Sequence, residues 1–409
     1  MHHKQQLRAL FVAVILLGST ARSAAPEQPA DVVAADNVFG FHLLNAVQKA
    51  NASKNVVLSP ISAALNLSMV LAGADGETRQ EMLSALSLGG LNPAAINDAN
   101  ATLLKIIRTP AQSTTLSVAD SLWVDNRHVR LRPDYIKQTR MSYDAEIVNL
   151  DFSDPGAAAR INGWASKETQ GKITKIIDEI DPHDRLLLLN AVYFKGQWAH
   201  KFDKSRTQQK DFALAGGPVK QVPRMVQSGR FEYFETPELQ AIRLPFGDGD
   251  LVMDILLPKQ SASLDALEAD LTTEHWKSWQ AQYAPRPGAI ELPRFELKAT
   301  YHLNEALQSL GLRRAFKQDA QLTGLFTSES PQGGGGRFFI SYVRQSTFWK
   351  VDEEGSEAAA VTAAGVRATA LARPVEPFSM IVDRPFFCAI EDRRSGALLF
   401  IGAIYDPAA

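Results

Sequence analysis

A chain of 409 residues, 45% apolar and 22% charged, has ordinary globular composition and enough apolar surface for a large core. Its formal net charge of −2 leaves no electrostatic footprint for nucleic acid or an anionic membrane. A single cysteine, Cys388, excludes an intrachain disulfide, so the fold must rest on packing alone.

Residues 1–25 read as a secretory signal peptide. Lys4 and Arg8 make a basic start, 9–17 is an apolar run, and 21–25 offers small residues for cleavage. The run is too short to span a membrane and a polar segment follows it. The expected organisation is a leader over 1–25 and a single domain over 26–409, with export to an extracytoplasmic location, secreted or periplasmic. No long Pro/Ser/Gly-rich linker divides the rest; the longest candidates are 328–337, with glycines at 333–336, and a small-residue stretch at 351–369.

Taken in order, 37–49 carries Phe39, Leu43, Leu44 and Val47 at helical spacing. Residues 56–58 form a short apolar strand, and Ser59-Pro60 caps the next helix. That helix, 61–71, is apolar nearly all round, which predicts a central position. Gly73 and Gly76 end it, and Thr78 with Glu81 has the spacing of a capping box for another helix. Strands are predicted at 119–124 and 143–152, with helices at 133–141 and at 155–167, the latter capped by Asp154. The run LLLLNAVYF at 186–194 reads as a strand buried on both faces. Asn190 in its middle must belong to a polar network, because a buried amide without partners is costly.

Beyond Lys210 the pattern turns to strands: 231–234, 239–244, 251–257, the alternating IELPRFELK at 290–298, the long 338–351, and the closing runs 385–390 and 397–404. A helix at 303–310 stops at Gly311. Helices first and strands in quantity afterwards predict an α+β fold with antiparallel or mixed sheets.

The stretch 351–369, VDEEGSEAAAVTAAGVRAT, has a period of two. Even positions Ser356, Ala358, Ala360, Thr362, Ala364, Val366 and Ala368 are small or β-branched and uncharged, whereas Glu357 and Arg367 fall on odd positions. Alternate residues of a strand share a face, so the segment is able to enter a sheet with its even face buried. Ala and Gly are poor strand formers, so it is not committed to doing so. It reads either as an ordinary flexible linker or as a segment that lives outside a sheet or inside it.

Enzyme motifs are absent: there is no G-x-S-x-G, H-E-x-x-H, P-loop or C-x-x-C. Asp178, Glu179, Asp181, His183 and Asp184 cluster without metal-ligand spacing and read as a solvated loop. Lys201, Lys204, Arg206 and Lys210 read as solvated surface rather than a ligand stripe. Asn51, Asn66 and Asn100 match the glycosylation sequon, with Asn66 inside the helix expected to be buried. Cys388, in PFFCAI, reads as a buried inert thiol. Neither metal nor cofactor is implied, nor is an enzyme.

Four stretches, in order, resemble the serpins, the serine protease inhibitor family: NVVLSPISAALNLSMVLAGADGET (55–78), NAVYFKGQW (190–198), ELPRFELKATYHLNEALQSLGLRRAF (291–316) and MIVDRPFFCAI (380–390). The resemblance covers nearly the whole chain after the leader. It implies a serpin domain over 26–409 with three β-sheets, about nine helices and an exposed reactive-centre loop at about 353–376. It further implies a suicide substrate that traps a serine protease, or alternatively a cysteine protease, in a covalent 1:1 complex. In that mechanism the cleaved loop inserts into the main sheet and the inhibitor works as a monomer.

Under this resemblance the hinge is Glu353, Glu354, Gly355, Ser356, Glu357, Ala358, Ala359, Ala360 and Thr362. Its even face lacks the bulk or charge that spoils the hinge in non-inhibitory relatives. The alternative is a binding, storage or chaperone serpin whose loop is cut as a plain substrate. The family spacing from Glu353 places the scissile bond at Thr369–Ala370, which with Val366, Ala368 and Leu371 suits elastase-like or subtilisin-like pockets. The span from Ala370 to Pro385 is longer than usual, so Arg367, Ala368, Leu371 and Arg373 stay as alternatives, and cleavage after either Arg implies a trypsin-like target. Ser59, Ser62, Asn190, Trp198 and Gln345 match the region where the sheet parts. Gln345 stands where relatives commonly carry His; Gln both donates and accepts, so a network is expected to survive without the pH response of a His.

Overall fold

The computed structural model describes residues 29–109, 114–128, 130–327, 338–355 and 376–408. The N-terminal part is helical: α1 (Pro29–Ala50), β1 (Val56–Leu58), α2 (Pro60–Leu71), α3 (Gly76–Ala85) and α4 (Pro93–Arg108). Then come β2 (Thr114–Asp125), α5 (Pro133–Tyr143), β3 (Glu146–Leu150), α6 (Ala157–Glu168) and β4 (Leu186–Gly196). The strand-rich part is β5 (Gln208–Ala213), β6 (Val219–Glu235), β7 (Leu239–Phe246) and β8 (Leu251–Pro258). After it stand α7 (Leu264–Ala269), α8 (Thr273–Gln280), β9 (Ala284–Pro293), β10 (Phe295–His302) and α9 (Asn304–Ser309). The chain closes with β11 (Ile340–Val351), β12 (Phe378–Ile381), β13 (Phe386–Asp392) and β14 (Ala397–Ile404).

Among the described residues there are nine α-helices and two hydrogen-bonded sheets. One sheet has five strands in the order β10-β11-β4-β2-β3. The other has nine, in the order β1-β14-β13-β8-β7-β6-β9-β12 with β5 on β6. The 17-residue β6 pairs with β5 at one end, with β9 in the middle and with β7 at the other end, so two lobes share it. The three expected sheets are thus the five-stranded sheet and two lobes joined through β6.

The five-stranded sheet separates two cores, and parity decides which side chain enters which. On β4, Leu186, Leu188, Val192 and Phe194 enter the main core, while Leu187, Leu189, Ala191 and Tyr193 pack against Ile161 and Ala165 of α6. Both faces of β4 are buried, as its apolar run predicts. On β11 the odd residues Val343, Trp349 and Val351 face the main core and Phe348 faces the α6 side. Every residue of α2 is buried, which explains a helix apolar all round.

Several local expectations change. Ser59 occupies the N-cap of α2 but its side chain makes no cap bond; its backbone is taken by Gln345 instead. Thr78 and Glu81 form no capping box. Asp75 is the N-cap residue of α3, Thr78 Oγ1 accepts from Gln321 N–H, and Glu81 accepts from the N–H groups of Arg313 and Arg314. Asp154 caps indirectly, accepting from the N–H of Gly156, the N-cap residue of α6. The alternating run 290–298 is not one strand: it breaks at Arg294, and β9 and β10 belong to different sheets.

Candidate functional site

β11 and β4 are direct neighbours and run parallel, in register from Ile340–Leu186 to Trp349–Phe194. The chain leaves β11 at Val351 and reverses at once. Asp352 N–H donates to Gly355 O at 2.9 Å and Gly355 N–H to Asp352 O at 3.2 Å, closing a turn with Glu353 and Glu354 at its tip. Gly355 has φ +114°, and a Cβ there would lie 2.2 Å from Gly196 O and 2.6 Å from Trp198 N. Only glycine fits, for conformational and steric reasons together.

The turn is clamped from the far end of β4. Trp198 N–H donates to Glu354 O at 3.1 Å, Phe202 N–H to Glu353 O at 2.9 Å, and Trp198 Nε1–H to Asp352 O at 2.8 Å. The Trp198 ring is fixed by stacking on Phe246, centroid to centroid 4.3 Å. Glu353 is buried, accepting from Thr207 Oγ1–H at 2.6 Å with Arg294 Nη1 at 3.6 Å. Glu354 takes Lys201 at 2.6 Å and Lys204 at 2.9 Å, and these lysines hold its carboxyl below the usual range. The basic run expected to be solvated surface is therefore in part a clamp on this turn.

A second cluster crosses the sheet ten residues back along β11. Tyr301, Gln345, Asn190 and Asp120 are successive cross-strand partners on β10, β11, β4 and β2. They form a polar belt beneath β1 and the start of α2. Tyr301 OH accepts from Val57 N–H; Gln345 accepts from Ser59 N–H at 2.8 Å and donates to Ser59 O at 3.0 Å. Asn190 Nδ2–H donates to Asp120 Oδ1 at 2.5 Å and to Ser62 O at 3.3 Å, and Ser62 Oγ–H donates to the same Asp120 oxygen at 2.9 Å. Asn66 Nδ2–H donates to Leu189 O at 3.0 Å, and Thr347 Oγ1–H to Val57 O at 3.1 Å. Asn190 thus belongs to the network its burial requires.

The structure brings Ser59, Ser62, Asn190 and Gln345 together and puts Trp198 elsewhere, under the Asp352–Gly355 turn. It also adds Asp120, which carries no motif in the sequence and is found only through its pairing with Asn190. Burial pushes the Asp120 carboxyl up to about 6, against the opposing hydrogen bonds from Ser62 and Asn190 and the charge of Arg108. Glu353, Glu354 and Gly355 are placed as above. Ser356, Glu357, Ala358, Ala359, Ala360, Thr362 and the candidate bond residues Arg367, Ala368, Thr369, Ala370, Leu371 and Arg373 lie outside the described residues, as do 1–25 and 328–337. Cys388 is fully buried, and burial pushes its thiol up. Asn66 is buried and bonded, closed to glycosylation. Among the described residues no group of three or more His, Cys, Asp or Glu is placed to hold a metal ion.

Comparison with known proteins assigns the chain to a family. The family model described as serpin (serine protease inhibitor) matches residues 34–407. Iripin-2 of Ixodes ricinus is 31% identical over 408 residues, covering 98% of each chain. Leukocyte elastase inhibitor of Sus scrofa is 33% identical over 391 residues, covering 91% of this chain and 99% of its own. Among solved structures, the thermophilic serpin tengpin in its native state superposes with a TM-score of 0.82 at 28% identity, covering 91% of this chain and 94% of its own.

Proposed function

The chain belongs to the serpin family, whose members include protease inhibitors, and on that premise we propose that it is itself an inhibitor acting as a suicide substrate. The protease attacks the segment after Gly355, acylates, and is carried away as the cut segment enters the five-stranded sheet between β11 and β4. The observation that carries this reading is the Asp352–Gly355 turn, which returns the chain antiparallel to β11 beside its parallel neighbour β4.

Extended from that turn, the same hairpin register pairs Val351 with Ser356, Trp349 with Ala358, Thr347 with Ala360 and Gln345 with Thr362. The odd residues of β11 face the main core and the belt, so the small even residues of the segment would enter that same side. Glu357 would fall opposite Lys350 on the other face. The parity in the sequence and the register of the turn are independent, and they agree. Roughly a dozen residues, at about 0.5–1.5 kcal/mol per net hydrogen bond, give on the order of 10 kcal/mol for insertion. Replacing the parallel β11–β4 contact by two antiparallel ones acts in the same direction. Loop insertion is a documented switching transition of serpins.

For the target, Thr369–Ala370 is the proposed bond and an elastase-like or subtilisin-like serine protease the proposed partner, in a 1:1 covalent complex with a monomeric inhibitor. The name of the Sus scrofa relative points to the same specificity class. Residues 1–25 support export, with 26–409 as one serpin domain. The test is incubation with elastase-like and trypsin-like enzymes: an SDS-resistant adduct is expected. Loop cleavage with turnover and no adduct would instead support a non-inhibitory serpin.

A further inference from the structure

The belt is short of donors. Among the described residues the acceptors Asp120 Oδ2, Asn190 Oδ1 and Asn66 Oδ1 are buried and have no hydrogen-bond partner. The hydrogen bonds from Ser62 and Asn190 to Asp120 converge on its Oδ1, with the Asn66 amide a further neighbour that favours the carboxylate. Asp120 is 2% exposed, yet among the described residues no cation forms an ion pair with it. A buried carboxylate with one oxygen unserved is an expensive group, and one added proton turns that oxygen into the missing donor.

Few charges lie on the elements packed around Asp120. α2 and β4 present only neutral groups, Ser62, Asn66 and Asn190. On the other side Asp120 lies at a polar cavity of about 500 Å³, lined by Arg108 of α4, Arg140 of α5, Asp144, Glu146 of β3 and Glu168 of α6. Arg108 is taken by Asp144 and by Val118 O, and Arg140 donates to Ile147 O. Neither guanidinium forms an ion pair with Asp120, and the charge of Arg108 acts on it only at longer range.

We propose that Asp120 is a proton-operated latch on the five-stranded sheet: protonated, it completes the belt and holds the sheet closed; ionised, it loosens the belt where β4 and β11 must part. The site is made by position. Asn190, its partner, is also the cross-strand neighbour of Gln345, so the Asp120–Asn190–Ser62 group and the Gln345–Ser59 pair lie on opposite sides of the seam that an inserted strand would open. The consequence for insertion rests on the inhibitory reading above; the consequence for stability does not. A titratable group thus returns to a belt whose Gln345 cannot titrate.

The sign follows from linkage. The carboxyl is raised in the fold from an ordinary 3.8 to about 6, so its favourable contribution is full below about 3.8 and is lost as pH rises through about 6. Between pH 5 and 7.5 the loss amounts to about tenfold in the folding equilibrium. Glu268 and Glu391, pushed by burial and neighbouring acids to about 7 and about 8, titrate in the same window, so the readout is the difference between wild type and variant.

The experiment measures urea unfolding of the full chain at pH 5 and 7.5 for wild type and Asp120→Asn. The expected result is a pH-dependent gain on acidification that is about tenfold larger in wild type than in the variant, with the variant more stable at pH 7.5. Identical pH dependence in the two overturns the latch. If Asp120→Asn does not fold, Ser62→Ala serves instead. It removes a donor that favours the carboxylate, so the pH profile must move upward; an unmoved profile again overturns the proposal. Adduct yield with protease, measured in parallel, separates the readings: a missing adduct with an intact pH difference sinks the inhibitory mechanism and leaves the latch.

Discussion

Arginine placed at two adjacent positions tests the register most sharply. In the proposed inserted state, the register of the Asp352–Gly355 turn would put residue 356 opposite Val351, which is 1% exposed and faces the main core. Ser356→Arg therefore asks the inserted segment to bury an unpaired guanidinium at its first step. Such a charge costs on the order of 3 kcal/mol or more. At 1.36 kcal/mol per tenfold, insertion slows by at least about a hundredfold, and hydrolysis of the acyl-enzyme has time to win. Glu357→Arg puts the same side chain one residue further on, opposite Lys350 on the other face. There the carboxylates of Asp352 and Glu296, 3.3 and 4.0 Å from Lys350 Nζ, can receive it. The assay is the ratio of SDS-stable adduct to cleaved inhibitor at a fixed protease dose. The expectation is near-complete loss of adduct for Ser356→Arg and a mild effect for Glu357→Arg. Equal loss in both variants, or in neither, refutes the parity argument.

Gly355→Ala must displace the backbone of Gly196 or Trp198, because its Cβ would sit within 2.6 Å of both. The urea midpoint of the native state is expected to fall by the equivalent of about 1–3 kcal/mol, and an unchanged midpoint would mean the turn is not held as described. Lys201→Ala with Lys204→Ala releases Glu354, with an expected loss of no more than about 1 kcal/mol that shrinks in high salt. Because the lysines lower the Glu354 carboxyl, this contribution is present above its ordinary 4.5 and disappears as pH falls through the lowered value. Its pH response is thus opposite in sign to that of Asp120, and denaturant titrations at pH 4 and 7 distinguish the two.

The parts legible from sequence are those where one local signal was enough. LLLLNAVYF and the largely apolar α2 announce burial on every side, and the burial of both is complete. Helix α4 went unread although it carries its own signals: Asn92 caps it, Pro93 opens it, and Ile96, Leu103, Leu104 and Ile107 are buried at helical spacing. Other features depend on distant chain. Glu81 at capping-box spacing spends its carboxylate on Arg313 and Arg314, more than two hundred residues away. The break at Arg294 is invisible because alternation continues through it while the chain passes from one sheet to the other. Asp120 looks like one polar residue in a short strand, and its meaning comes from Asn190, 70 residues on. Trp198 sits only two residues beyond the end of β4, yet that step moves it from the expected belt to the Asp352–Gly355 turn.

The central claim is that the segment after Gly355 is a protease bait that becomes a strand. Mass spectrometry of the C-terminal fragment released on mixing with an elastase-like enzyme, run beside SDS electrophoresis of the mixture, tests it most directly. The account predicts a fragment beginning at Ala370 and a 1:1 adduct that survives SDS. A fragment released in full, with active protease recovered and no adduct, would contradict it.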